Sequence, residues 1–239
     1  MKVINDIIGY EKLKIVQDTQ MFSFSLDSVL LARFITLNKN IKQILDIGCG
    51  NAPIPIILST RTDANIIGVE IQEDVYNLAK ESILINNLND QIELLNEDVN
   101  DIYKEFESDS FDVITCNPPY FKVSIGSHYN KNDYKTIARH EVKLNLEQLL
   151  KISKKLLKNN GVLGIVHRPD RIIEIFQLMH FYNIEPKRIR FIYPKKDQCA
   201  NMLLIEGKKN GNPGLKILPP LYVHESDGSY TDEVKYFFK

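Results

Sequence analysis

Between Gln43 and Glu206, apolar runs of four to seven residues alternate with longer stretches of helical periodicity. Gln43–Ile47, Asn65–Glu70, Ile92–Leu95, Phe111–Cys116 and Gly161–His167 read as strands. The helices between and after them are expected from Pro53 to Ser59, Gln72 to Asn86, Leu144 to Leu157 and Asp170 to Tyr182. Such alternation admits essentially one architecture, a doubly wound parallel sheet with helices on both faces. Two further runs, Arg188–Tyr193 and Ala200–Glu206, have no helix between them, so one must run antiparallel to the other. The expectation is therefore an α/β fold with a seven-stranded, mostly parallel sheet whose last strand is antiparallel. Within the helix over 72–86, Val75, Leu78, Ala79, Ile83 and Leu84 form the apolar face.

The rest of the 239 residues divides into a lead-in, 1–40, and a C-terminal extension, 207–239, flanking a catalytic unit over 41–206. The lead-in holds a short alternating strand, Lys12–Val16, and a helix that Ser25 or Asp27 caps, with Val29, Leu30, Ala32 and Phe34 inside. It reads either as a core helix or as a lid over a ligand pocket. The extension carries turn signals at Asn212-Pro213-Gly214, Pro219-Pro220 and Asp227-Gly228-Ser229, consistent with a hairpin. No apolar run approaches the roughly 18 residues that span a bilayer, and Met1–Asp6 lacks a signal-peptide core, so a cytoplasmic location without membrane association is expected. Cys49, Cys116 and Cys199 are too scattered for a disulfide framework or a zinc site, and His128, His167, His180 and His224 lack ligand spacing, so no metal is expected. Charge is unevenly spread. Residues 1–120 hold 9 Lys and Arg against 19 Asp and Glu, whereas residues 121–239 hold 21 against 12. That asymmetry points to a polyanionic partner at the C-terminal half, or to solvated basic helix faces.

Chemistry-bearing residues collect where strands end. Asp46-Ile47-Gly48-Cys49-Gly50-Asn51-Ala52-Pro53 joins the first strand of the unit to its helix. Gly48 and Gly50 permit a tight turn and close approach of a ligand. Glu70, closing the next strand, stands where a carboxylate grips ribose hydroxyls in nucleotide-binding sheets. A dinucleotide is disfavoured, because Pro53 replaces the third glycine and offers no N–H to a pyrophosphate. Asp46 suits an ammonium or a water network instead. S-adenosylmethionine combines a ribose with an amino-acid head group. Asp98, after the third strand, is placed for the adenine amine of that cofactor.

The fourth strand stops at Asn117-Pro118-Pro119-Tyr120, because two successive prolines cannot continue a ladder. The corner presents the Asn117 amide oxygen and the Pro118 carbonyl, both acceptors, beside an aromatic ring. Adenine N6 is a poor nucleophile because its lone pair is delocalised into the ring. Acceptors that hold its N–H bonds out of plane return that pair to nitrogen, and Tyr120 stacks on the base. Phe121 adds a wall. The base must be unstacked to enter.

These residues resemble those of the class I S-adenosylmethionine-dependent amino-methyltransferases, which have a Rossmann-like fold. More closely, the chain resembles the bacterial tRNA(Val) adenine-N6 methyltransferases, which modify an adenine beside the anticodon. The likeness runs through Gln17 with Phe22–Leu31, Ala138-Arg139-His140-Glu141, His167-Arg168-Pro169 and Leu204–Lys209, and covers nearly the whole chain. It implies Asp46, Gly48, Gly50, Asn51, Glu70, Asp98 and Asn117 as cofactor-binding residues, and Asn117, Pro118, Pro119 and Tyr120 as catalytic. It implies Phe121, Lys131, Lys135, Arg139, His140 and Arg168 as the RNA contacts of a monomer acting on tRNA, with Arg171 a further candidate. Ala52 departs from the usual third glycine and is accommodated if its φ is negative.

Three alternatives stay open. A release-factor glutamine methyltransferase uses the same corner on an amide, but usually has a larger helical domain before the glycine turn than the 45 residues preceding Asp46. A DNA adenine methyltransferase needs a larger target-recognition region. A non-catalytic RNA-binding module has no use for Asn117 and Tyr120.

Overall fold

The computed structural model describes residues 1–21, 26–102, 106–118, 120 and 144–237. A hairpin of β1 (Lys2–Ile7) and β2 (Tyr10–Asp18) precedes helix α1 (Leu26–Phe34). The chain then lays down β3 (Gln43–Ile47), α2 (Pro53–Ser59), β4 (Asn65–Val69), α3 (Glu73–Ile85), β5 (Ile92–Leu95) and β6 (Phe111–Cys116). After α4 (Leu146–Leu156) come β7 (Leu157–His167), α5 (Ile172–Phe181), β8 (Ile184–Tyr193) and β9 (Met202–Lys209). Two-residue strands β10 (Lys216–Ile217) and β11 (Leu221–Tyr222) and helix α6 (Asp232–Phe237) close it.

The main sheet runs β10-β8-β9-β7-β6-β3-β4-β5, with β11 also pairing β8. The seven expected strands are all present. Of these, β9 alone opposes its neighbours, pairing antiparallel with both β7 and β8. The extension adds β10 and β11, both parallel to β8, rather than a hairpin of its own at that point. An antiparallel bridge between His224 and Tyr230 forms further on.

Strand pleating sorts the core by residue parity. Ile44, Ile66, Val113, Val162 and Leu204 pack against α1, α2 and α3 on one face. Their chain neighbours Leu45, Ile114, Leu163, Leu203 and Ile205 pack against α4 and α5 on the other. Burial on both faces is why these strands read as continuous apolar runs.

Several boundaries differ from expectation. The Asn159-Asn160-Gly161 signal is a bulge inside β7, with Asn160 at φ 62°, where the register against β6 shifts between Phe111 and Val113. β8 begins at Ile184 because Ile184–Pro186 pair with Lys209–Gly207, the irregularity at Pro186 sparing the ladder. β1 carries too polar a pattern to be seen without its partner. Leu84 is 62% exposed; the buried face of α3 turns instead through Leu78, Ala79, Ser82 and Ile83. Ser82 is inside because its hydroxyl accepts the Val16 N–H at 2.9 Å, fastening the hairpin to α3.

The far end of α1 is clamped to the sheet. Glu206, 2% exposed, accepts the Thr36 N–H at 2.8 Å and faces the Arg188 guanidinium at 3.5 Å. Arg188 also stacks over Phe34, 4.6 Å from ring centre, and donates to the Phe34 carbonyl. Arg188→Met strands a buried carboxylate. We expect it to lower unfolding free energy by about 2–4 kcal/mol in denaturant titration.

Candidate active site

The parallel strands deliver their carboxyl ends to one rim, the position at which open α/β sheets take ligands. β3 ends in the glycine turn. Gly48 and Gly50 adopt φ of 67° and 57°, and a Cβ on either would project into open space, so nothing of the protein occupies the cradle. Ala52 has φ 69°, left-handed as well. The expectation of a negative φ there is therefore corrected: the turn needs three left-handed residues in alternation, and the third is a buried alanine held under strain. Pro53 follows as the first residue of α2, where a missing N–H costs nothing.

Two carboxylates lie under this turn. Glu70 accepts from Gly50 N–H at 3.0 Å and from Gln72 N–H at 2.9 Å, so each of its oxygens steadies one loop and keeps a lone pair. Burial pushes its pKa up, partly offset by those donors. Asp46 is 1% exposed; its Oδ1 accepts the Thr115 hydroxyl at 2.6 Å, and its Oδ2 has no partner. Burial raises its pKa to about 8. A buried carboxylate with an orphaned oxygen is the partner an ammonium lacks elsewhere. The Asn51 side chain donates to the Val16 carbonyl at 2.9 Å, so its amide ties the turn to the hairpin.

A small cleft beside the turn is lined by Gly48, Glu70, Ile71, Asp98, Val99 and Leu144. Asn96 donates to the Glu70 carbonyl and Asp98 is braced by Asn100, so the β5 loop is registered against β4. Apolar walls with a carboxylate at each end suit a purine nucleoside. Ile71, Val99 and Leu144 were not singled out from sequence, where isolated aliphatics carry no signal.

At the end of β6, Asn117 Nδ2 donates to Ser28 Oγ at 3.2 Å. The Tyr120 hydroxyl lies 2.7 Å from Asn117 Oδ1 and 2.7 Å from Asp27 Oδ2. The Tyr120 ring packs against His167, centroids 5.5 Å apart, and its phenol is pushed well above the usual range by burial and then by Asp27. His167, fully buried, accepts the Arg168 N–H at Nδ1, which leaves Nε2 as the protonated nitrogen; burial drops its pKa to about 4, so it is neutral. The first turn of α1 thus reaches the corner, a contact that the sequence showed only as a helix cap. Arg168 stands at the end of β7 with its Nε 3.6 Å from Asp170. Arg171 is instead buried, its guanidinium on Glu174 at 2.8 and 3.0 Å, which leaves it a structural rather than an RNA-facing role. Pro119, Phe121, Lys131, Lys135, Arg139 and His140 lie outside the described residues. No cluster of metal-ligating side chains occurs among the described residues, and no described helix is long and apolar enough to cross a membrane.

Residues 38–203 match the family model described as a methyltransferase domain. Curated proteins named tRNA1(Val) (adenine(37)-N6)-methyltransferase are similar over most of the chain. That of Bacteroides thetaiotaomicron is 27% identical, spanning 98% of this chain and 98% of its own. That of Flavobacterium psychrophilum is 24% identical over 85% and 87%, and that of Photorhabdus laumondii 26% over 95% and 91%. Among solved structures, a predicted O-methyltransferase from Agrobacterium tumefaciens superposes with TM-score 0.70 at 19% identity, covering 89% of this chain and 95% of that one. The geranyl diphosphate C-methyltransferase of Streptomyces coelicolor, solved with S-adenosyl-L-homocysteine, reaches 0.58 at 12% identity, covering 77% and 79%.

The strain at Ala52 is testable without ligand. Ala52→Gly relieves a left-handed alanine, and we expect a gain of about 1 kcal/mol in unfolding free energy, read as a raised denaturation midpoint.

Proposed function

The chain belongs to the methyltransferase-domain family, with the Rossmann-like class I fold, and we propose that it transfers a methyl group from S-adenosylmethionine to the exocyclic N6 of an adenine in tRNA. The observation that carries this reading is the Asn117 amide, held by Ser28 at the end of β6 on the same rim as the cofactor cradle. Its oxygen, met by the Tyr120 hydroxyl at 2.7 Å, is of the acceptor type that an amine N–H needs. The relatives' names supply the finer assignment, adenine 37 of tRNA1(Val).

When bound, S-adenosylmethionine would supply a methyl group to the N6 lone pair, the C–S bonding pair staying on sulfur as a neutral thioether and the displaced N6 proton passing to solvent. This chain's residues prepare that event. Asp46 holds the ammonium and Glu70 the ribose hydroxyls, while Asp98 meets the adenine amine of the cofactor. Asn117 Oδ1 and the Pro118 carbonyl accept the N–H bonds of the target, and Tyr120 supports the base. Pro119, Phe121 and the basic residues Lys131, Lys135, Arg139, His140 and Arg168 complete the proposed RNA side, whose phosphate contacts release counterions.

The direct test is transfer of labelled methyl to unmodified bulk tRNA followed by nucleoside analysis. We expect label in N6-methyladenosine; label in release factor instead selects the amide substrate. Asn117→Ala should still bind cofactor and lose transfer by at least about 100-fold, since a donor–acceptor contact made to the reacting group is removed.

Asp46 makes a separate, activity-free prediction. Its folded pKa, about 8, lies above the unfolded value, so in the ligand-free chain it is protonated at pH 7, and stability is lost as pH rises from about 4 through 8. An arriving ammonium favours the ionised form. Calorimetry at pH 7 in buffers of different ionisation enthalpy should therefore show proton release on cofactor binding. The release should fade above pH 8 and disappear in Asp46→Asn.

A further inference from the structure

Asp27 and Tyr120 carry a geometry that the transfer reaction does not by itself require. A phenol has one proton to give. Here it faces two acceptors at the same separation, 2.7 Å to Asn117 Oδ1 and 2.7 Å to Asp27 Oδ2. On its other side the Asn117 amide donates from Nδ2 to Ser28 Oγ at 3.2 Å, and Ser28 is 5% exposed within α1. Asp27 is fixed on the same helix one residue earlier, and the helix is anchored at its other end through Thr36 and Glu206.

The consequence is a competition for one oxygen. Asn117 Oδ1 is the acceptor that the target amine needs, and in the ligand-free chain the Tyr120 hydroxyl lies against it. A hydroxyl with no other acceptor would keep donating there and weaken the grip on the N–H of the base. Giving up that bond in a buried site, with nothing in exchange, would leave an unsatisfied donor. Asp27 offers an exchange at no change in distance.

We propose that Asp27 is a positioning residue that draws the Tyr120 hydroxyl proton away from Asn117 when the target base enters, so that Asn117 Oδ1 is released to accept the amine N–H. No covalent bond changes: the phenol O–H rotates from one acceptor to the other, and the vacated lone pair on Asn117 takes an N–H of the base. Asp27 acts through Tyr120, whose hydroxyl it meets at 2.7 Å. The inference rests on the adenine-methylating reading above. It goes beyond that reading in assigning the first turn of α1 a part in preparing the corner.

The test is a double-mutant cycle on single-turnover methyl transfer to tRNA, with cofactor affinity measured in parallel to register any damage to the fold. Asp27→Ala in the wild-type background should slow transfer by about tenfold, the worth of one displaced hydrogen bond, with cofactor affinity unchanged. In the Tyr120→Phe background no hydroxyl competes, so adding Asp27→Ala should change the rate less than about twofold. Asp27→Asn, which still accepts through its side-chain oxygen, should recover most of the rate lost in Asp27→Ala. A loss that persists in full in the Tyr120→Phe background overturns the proposal, as does an Asp27→Ala variant as fast as wild type. Failure of Asp27→Asn to recover rate also overturns it. A wild-type chain that methylates no tRNA adenine sinks the adenine reading itself and this proposal with it. A methylating wild type with a flat cycle sinks only the role of Asp27.

Discussion

The hydrogen bond from Asn117 to Ser28 joins the two parts of the chain that have to meet for a corner at the end of β6 to become a site. The proline pair ends the strand. A strand end alone does not orient an amide, whose oxygen and nitrogen are nearly equal in shape. Ser28 Oγ accepts from Nδ2 while Oδ1 lies toward Tyr120, so the amide is held from both ends. Ser28 can do so because α1 is packed into the upper core by Val29, Leu30, Leu31 and Ala32. The Arg188–Glu206 clamp holds it where it ends.

The same economy operates at the cofactor cradle. Glu70 fastens the glycine turn to the start of α3, and Asn51 fastens it to the hairpin. Asp46 is the exception, a buried carboxylate with one oxygen unpaired. The unliganded fold bears that cost and relieves it by keeping the group protonated. Strain at Ala52 is a second cost in the same turn. Both lie where the backbone must stay clear of a ligand, which is where a fold tolerates local disfavour.

Much of this was legible in the sequence, for identifiable reasons. β3, β4, β6 and β7 are buried on both faces, so their apolar runs announce themselves. The carboxyl-end rule then gathers Asp46, Gly48, Gly50, Glu70, Asp98 and Asn117 without further information. What stayed hidden depends on contacts distant in sequence. β1 is a strand only because β2 lies beside it. Ser82 is buried only because Val16 needs its hydroxyl. Leu84, apolar and correctly spaced, is exposed because the lead-in hairpin covers a different side of α3. Asp27 reads from sequence as a helix cap and Ser28 carries no signal, since their distance from Asn117 and Tyr120, about ninety positions along the chain, closes only in the fold. Ala52 was misjudged because local sequence does not reveal the sign of one φ.

What the corner is built to recognise is the amino group of an adenine. The most direct measurement compares binding of two anticodon-loop RNAs in the presence of S-adenosyl-L-homocysteine, one with adenine at the target position and one with purine, which lacks only the 6-amino group. The adenine RNA should bind more tightly by about tenfold, the worth of one or two hydrogen bonds to Asn117 and Pro118, with the difference much reduced in Asn117→Ala. Equal affinity of the two RNAs for the unaltered chain would contradict it.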